Sequence, residues 1–155
     1  MPLVAHNALP TFERLRRDGM TVLSTERAGN QVIRELHVGL LNMMPDAALE
    51  ATERQFYRLV GESNPIAQFY MHPFTLPALP RGDKARAHID AYYESFDDIR
   101  EKGLDALIIT GANVSQPNLA DEAFWRPMIE VIDWAWDHVT STLCSCLATH
   151  AVMQF

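Results

Sequence analysis

The chain has 155 residues, 48% hydrophobic and 21% charged, with a formal net charge of −7. That length and balance fit one globular domain with a real core. The negative charge, with no clustered basic residues, argues against a nucleic-acid or anionic-membrane partner.

The opening residues 1–10 lack a charged segment followed by a long apolar run, and no stretch is long enough to span a bilayer, so a cytoplasmic location is expected. Residues 1–35 are mixed. They hold Pro2 and Pro10, a charged helical piece near Thr11–Asp18, where Arg14, Arg16 and Arg17 form a solvated face, and an extended Thr21-Val22-Leu23. We read them as an N-terminal arm packed on a single α/β domain over residues 36–155.

From Leu36 to Met44 the chain is nearly all apolar and stops at Pro45, as in a strand buried on both faces of a parallel sheet. Asp46 is placed to cap the next helix, where Leu49, Thr52, Phe56 and Leu59 recur at helical spacing and Gly61 offers a stop. A second strand is expected over Ile66–Met71. The stretch Pro73 to Ala85, with Pro77, Pro80 and Gly82, reads as a long loop that either borders a site or is plain surface. Helical spacing returns at Ile89, Tyr92, Phe96 and Ile99, up to Gly103. Leu104–Thr110 is a third buried strand, and Gly111-Ala112-Asn113 a turn. Phe124, Met128, Val131 or Ile132, and Ala135 mark a helix over about residues 121–137, with Trp125, Trp134 and Trp136 expected to pack. Thr140–Ser145 is the last strand, and a final helix follows.

Strand and helix thus alternate, which predicts an open, mostly parallel sheet with helices on both faces. Ligand sites in such folds form at the carboxyl ends of strands. Asn42–Pro45, Gly111–Ser115 and Cys146 fall there together.

Cys146 stands where the last strand gives way to a helix. A residue on such an elbow is pushed out of the backbone, and its neighbours two positions away must be small. Here they are Cys144 and Ala148. The following helix amides favour negative charge at that point, and the Leu147 amide is placed to stabilise an oxyanion. This describes a nucleophile for covalent acyl transfer; from the residues alone, a small buried core thiol is an equal alternative. Cys144 reads as structural. A disulfide between cysteines two apart would be strained, so both are expected as thiols. His150 lies a full helical turn from the elbow and is not placed to act as base. His6, His37, His72, His88 and His138 show no metal-ligand spacing, and no metal is expected. Asn42, Gly111 and Ala112 are the candidate substrate-binding residues. Gly111 reads either as a point of close ligand approach or as a plain turn glycine.

Particular motifs resemble the homoserine O-succinyltransferase (homoserine O-acyltransferase) family of methionine biosynthesis. They are Glu26-Arg27-Ala28, Gln31-x-Ile33-Arg34, Leu41-Asn42-x-Met44-Pro45, Glu53-x-Gln55-Phe56, Ile108-x-Thr110-Gly111-Ala112 and, most specific, His138-Val139-Thr140-Ser141-Thr142-Leu143-x-x-Cys146. The registers of Trp125 and Trp134 agree as well. The resemblance implies a class I glutamine-amidotransferase-like (flavodoxin-like) fold. It implies that Cys146 takes an acyl group from acyl-CoA, succinyl-CoA or acetyl-CoA, as a thioester, and passes it to the hydroxyl of homoserine or serine, with no bound cofactor. It places acyl choice at Ser115, where a small residue goes with succinyl and a glutamate with acetyl. A carboxylate at that point would repel the succinyl carboxylate.

Three departures from the family pattern stand out. Asn113 replaces a usual proline. Asp46-Ala47-Ala48 occupies a slightly longer segment where lysines are frequent. Members of the family are about twice as long, and their base histidine, its glutamate partner and several substrate contacts have no counterpart here; His150 falls where glutamine is usual. The resemblance therefore implies an apparently truncated, N-terminal portion of the domain that is catalytically incomplete alone. An apolar patch around Ala151, Val152 and Phe155 is expected to bind the rest or a second copy as a homodimer. A non-catalytic partner domain is the reading from another class.

Overall fold

Each apolar run in this sequence finds a parallel neighbour, and the helices between them supply the crossovers. The computed structural model describes residues 3–155; Pro2 lies outside them. Six strands form one sheet: β1 (Leu3–Ala5), β2 (Val22–Ser24), β3 (Glu35–Leu41), β4 (Gln68–Phe74), β5 (Ala106–Ile109) and β6 (Ser141–Cys144). Their order is β2-β1-β4-β3-β5-β6 and every pairing is parallel. Around them run α1 (Pro10–Arg17), α2 (Thr25–Gly29), α3 (Asp46–Ser63), α4 (Asp83–Tyr92), α5 (Phe96–Lys102), α6 (Trp125–His138) and α7 (Leu147–Gln154). The expected α/β fold with an open parallel sheet is the one observed. No helix among the described residues is long and apolar enough to cross a membrane.

The strand alternation sorts the core into two layers. Val38, Leu40 and Ile108 point to one face with Phe12 and Leu15 of α1 and Tyr57 of α3. Leu41, Leu107 and Ile109 point to the other, with Ile99 of α5, Met128, Val131 and Trp134 of α6, and Ala148 and Ala151 of α7. A strand covered on both faces has no room for polar alternation, hence the continuous apolar runs. Each large side chain buried this way contributes about 1.5–3 kcal/mol.

Several local readings change. Residues 3–24, expected in an arm, contribute β1 and β2 to the sheet itself. β4 runs on through Pro73, which pairs with Leu40; β1 pairs with β4 only at Phe69, so the missing proline amide falls where the ladder on that side has ended. The spacing that suggested one helix through Ile89 and Ile99 is two helices, α4 and α5, with Tyr93–Ser95 between. Gly61 does not stop α3. It lies buried inside it, and a β-carbon there would come within 2.7 Å of Met20 Cε and 3.0 Å of Leu3, so the glycine permits close packing of α3 on β1. Asp46 is the first residue of α3 and does not cap it; its carboxylate instead accepts from the Gly82 amide at 2.7 Å. Leu59 and Trp136 face outward, Trp136 at 85% exposure. Ala151 is fully buried, and the exposed apolar residues at this end are Leu143, Met153 and Phe155.

Candidate active site

β5 and β6 end side by side, with Ile109 opposite Cys144. The pairing lasts one residue further, since the Ser145 amide donates to Ile109 O at 2.9 Å. At Cys146 the chain then turns sharply, with φ 58° and ψ −120°. It is the only non-glycine residue with positive φ among the described residues. A side chain held in such a conformation costs about 1–3 kcal/mol and persists only where its surroundings enforce it. α7 begins at the next residue. The Thr149 amide donates to Cys146 O at 3.1 Å, and Thr149 Oγ1 donates to Cys144 O at 3.0 Å, so the turn is tied from both sides.

This geometry exposes one thiol and covers the other. Cys146 is exposed, Cys144 is half-buried, and both are free. Burial pushes the Cys144 thiol up. Ala148, two residues after the turn, is fully buried against the core, which explains why that position is small.

Gly111, just past β5, completes the corner. A β-carbon on it would lie 3.3 Å from Cys146 Cβ, 3.4 Å from Cys146 Sγ and 3.7 Å from the Leu147 amide nitrogen. Glycine therefore keeps a slot open between the thiol and that amide. Leu147 is the first residue of α7, so its N–H has no acceptor within its own helix. The corner thus sets an exposed thiol beside a backbone donor with no acceptor in its helix, the two groups that acyl-transfer chemistry uses. Ala112 packs partly buried against the adjoining core.

The neighbouring strand ends are locked by polar side chains whose partners the sequence does not reveal. Thr110 Oγ1 accepts from the Met43 amide at 2.8 Å, and the Thr110 amide donates to Leu41 O at 3.1 Å, fixing the end of β5 to that of β3. Asn42 is fully buried. Its amide group donates to Leu49 O and to the Tyr93 hydroxyl, both at 3.0 Å, so its side chain is committed to the interior. Tyr93 in turn donates to Glu53 Oε1 at 2.6 Å; burial first, and the Glu53 carboxylate second, push its hydroxyl far up. Glu53, fully buried, also accepts from Thr11 at 2.8 Å and lies 2.8 Å from His88 Nε2.

A cavity of about 350 Å³ opens beside these ends, lined among others by Met43, Pro45, Asp46, Leu79, Arg81 and Asn113. Arg81, its side chain 7% exposed, donates to Asn42 O at 3.2 Å and Thr75 Oγ1 at 3.1 Å. It thereby braces the loop between β4 and α4 against the β3–α3 turn. That loop, which the sequence left open between site border and plain surface, forms one wall of the cavity.

Ser115 is exposed, on the loop after β5. Its amide and hydroxyl both donate to the Glu122 carboxylate, the hydroxyl at 3.2 Å, and the Gln116 amide joins them at 2.7 Å. The Gln116 and Ser115 amides hold Glu122 below the usual carboxylate range. A carboxylate thus already stands beside Ser115, a neighbour with no signal in the sequence.

No histidine among the described residues hydrogen-bonds Cys146. His6 pairs with Val4 O, His37 with His72, His72 with Glu94, His88 with Glu53 and His138 with Trp134 O, while His150 is exposed on α7.

Comparison with known proteins gives a consistent set of relatives. A family model described as homoserine O-succinyltransferase matches residues 2–155. Over 155 residues the chain is 89% identical to the homoserine O-succinyltransferase of Thiobacillus denitrificans, covering 100% of this chain and 44% of that protein. It is 73% identical over 154 residues to the protein of that name from Thioalkalivibrio nitratireducens, covering 99% and 43%. A third, from Methylococcus capsulatus, is 70% identical over 155 residues, covering 100% and 44%. The chain spans less than half the length of these relatives.

Proposed function

The chain belongs to the homoserine O-succinyltransferase family, and on that premise we propose that it carries the nucleophile of an acyl-CoA-dependent O-acyltransferase acting in methionine biosynthesis in the cytoplasm. In this reading Cys146 Sγ attacks the thioester carbonyl of succinyl-CoA. The Leu147 amide takes up the charge that develops on the carbonyl oxygen. Coenzyme A leaves as its thiol, and the succinyl group stays on Cys146 as a new thioester. The hydroxyl of L-homoserine then attacks that carbonyl, releasing the cysteine and giving the O-succinyl ester.

The observation that carries the reading is the backbone of Cys146: positive φ, at a strand–helix junction, with glycine opposite. A merely structural thiol has no need of that conformation. Proton transfer in both steps calls for a base. We place it in the part of the family's length that this chain does not span, together with the acceptor contacts, so the chain is expected to depend on association with that part. Ser115, with the Glu122 carboxylate beside it, and Asn42, Gly111 and Ala112 are assigned to the walls around the acyl group. Ser115 leaves more room for succinyl than a longer side chain, and the Glu122 carboxylate is already engaged by the Ser115 and Gln116 amides, so succinyl is favoured over acetyl. Asn42 acts by fixing the backbone at the end of β3.

Incubation of the chain, joined to the rest of its family's length, with succinyl-CoA, followed by mass spectrometry of the intact protein, tests this. One succinyl group is expected on the wild type and on Cys144→Ala, and none on Cys146→Ala. Ready loading from acetyl-CoA with none from succinyl-CoA overturns the acyl assignment. A Cys146 no more reactive toward iodoacetamide than a free cysteine at neutral pH favours the non-catalytic reading instead.

A further inference from the structure

A second cluster of chemically able side chains lies away from Cys146, where the chain after β1 meets β4 and the residues just before α5. His6 follows β1, His72 is on β4, and Glu94 lies between α4 and α5. A ring nitrogen from each histidine and a carboxylate oxygen of Glu94 all lie within 4.8 Å of one another. The two imidazole centroids are 5.1 Å apart and tilted by 45°, so the rings converge without stacking flat.

The outer contacts of these three residues are those that orient metal ligands. His6 Nδ1 sits 3.2 Å from Val4 O, which makes it the protonated nitrogen and leaves the lone pair on Nε2. That Nε2 is buried and has no hydrogen-bond partner. His72 uses one ring nitrogen on His37 Nδ1 at 2.9 Å and turns the other to Glu94 Oε1 at 2.6 Å. Glu94 keeps its second oxygen on Lys102 Nζ at 2.7 Å.

Hydrogen bonding within the cluster accounts for His72, His37 and Glu94, but it leaves His6 Nε2 with nothing. A buried nitrogen lone pair without a partner is unfavourable, and one ion at the centre would satisfy it. We propose that His6, His72 and Glu94 bind a single divalent transition-metal ion of the zinc class. Two imidazoles and one carboxylate suit such an ion and not magnesium or calcium, which prefer all-oxygen sites. Ligand bonds of about 2.0–2.1 Å require His72 Nδ1 and Glu94 Oε1, now 2.6 Å apart, to part around the ion and His6 Nε2 to close on it, movements within reach of side-chain rotation. The ion ties the segment after β1 to β4 and to the start of α5, and the fourth position falls to water.

Cobalt(II) titration of the purified chain tests this. One equivalent is expected to bind, with visible absorption bands and without the near-ultraviolet band of cobalt–thiolate bonding, which would betray capture by Cys144 or Cys146. His6→Gln and Glu94→Gln should each weaken binding at least tenfold, and His138→Gln, at an exposed histidine on α6, should leave it unchanged. Zinc should displace the cobalt and raise the melting temperature of the wild type; magnesium should do neither. If His72→Gln fails to fold, His6→Gln decides alone, because His6 donates only to a local carbonyl. Absence of binding, a thiolate band, or unchanged affinity in His6→Gln overturns the site.

Discussion

The corner at Cys146 and the polar network around Glu53 lie at the carboxyl side of the same sheet and treat polar groups in opposite ways. Glu53 is fully buried and takes Thr11, His88 and Tyr93 around one carboxylate, with Asn42 linked through Tyr93. Cys146 is exposed, holds a strained backbone and has no histidine bonded to it among the described residues. The first corner stabilises the fold. The second draws on that stability to hold a thiol where a substrate can reach it. A strained turn on the edge strand β6 is tolerable because β3, β4 and β5 behind it are fixed by side chains such as Thr110, Asn42 and Arg81.

Breaking the stable corner should give the largest effect. Glu53→Ala removes the common partner of Thr11, His88 and Tyr93 and opens a hole beneath α3. We expect a loss of about 3–5 kcal/mol in urea unfolding; a loss under about 1 kcal/mol would mean that the network is incidental.

Filling the slot opposite Cys146 comes next. Gly111→Val places methyl groups against Cys146 Sγ and the Leu147 amide, so acyl loading should fall by about 10²-fold, with a stability cost of about 1–3 kcal/mol from overpacking. Equal loss of loading in a variant of similar stability far from the corner would show that the effect is only one of folding.

The strain itself can be measured. Cys146→Gly should raise stability by about 1 kcal/mol, because glycine accepts φ 58° without penalty, and Cys146→Ala should not. Both abolish loading, so stability and chemistry separate at one residue. If the two variants are equally stable, the turn is not strained.

The smallest effect concerns pH. Burial alone would raise the Glu94 carboxyl, but hydrogen bonds from His72 and Lys102 outweigh it and hold it at about 2, against an ordinary value of 4.5. A depressed carboxyl lends stability that is present above the unfolded value and is lost as pH falls through the folded one. Metal-free wild type should therefore lose stability between about pH 4.5 and pH 2, and Glu94→Gln should show a flatter curve there. Identical curves would deny the carboxylate its role.

Much of this molecule was legible in its sequence because buried parallel strands leave an unbroken apolar signature. Leu36–Leu41 and Leu104–Ile109 show it plainly. β1, three residues long, is too short to show any pattern, and its place in the sheet comes from pairing with Val22–Ser24 and Phe69. The gap between α4 and α5 hid because Tyr92 and Phe96 keep helical spacing across it. At the site, the small residues around Cys146 were readable, since a tight turn restricts size locally. Contacts between distant residues were not: Glu122 on Ser115, Arg81 over Asn42, and His6 beside His72 depend on which loops the fold brings together. Asn42 was legible as a residue at a strand end but not as one whose side chain faces inward.

The central claim is that Cys146, and not Cys144, forms the acyl thioester. Its most direct measurement is peptide mapping of the chain, joined to the rest of its family's length, after brief exposure to succinyl-CoA, with hydroxylamine to release thioesters. A hydroxylamine-sensitive succinyl group on Cys146 alone is the result predicted. Modification of Cys144, or of neither cysteine while the chain remains folded and joined to the rest of its family's length, would contradict it.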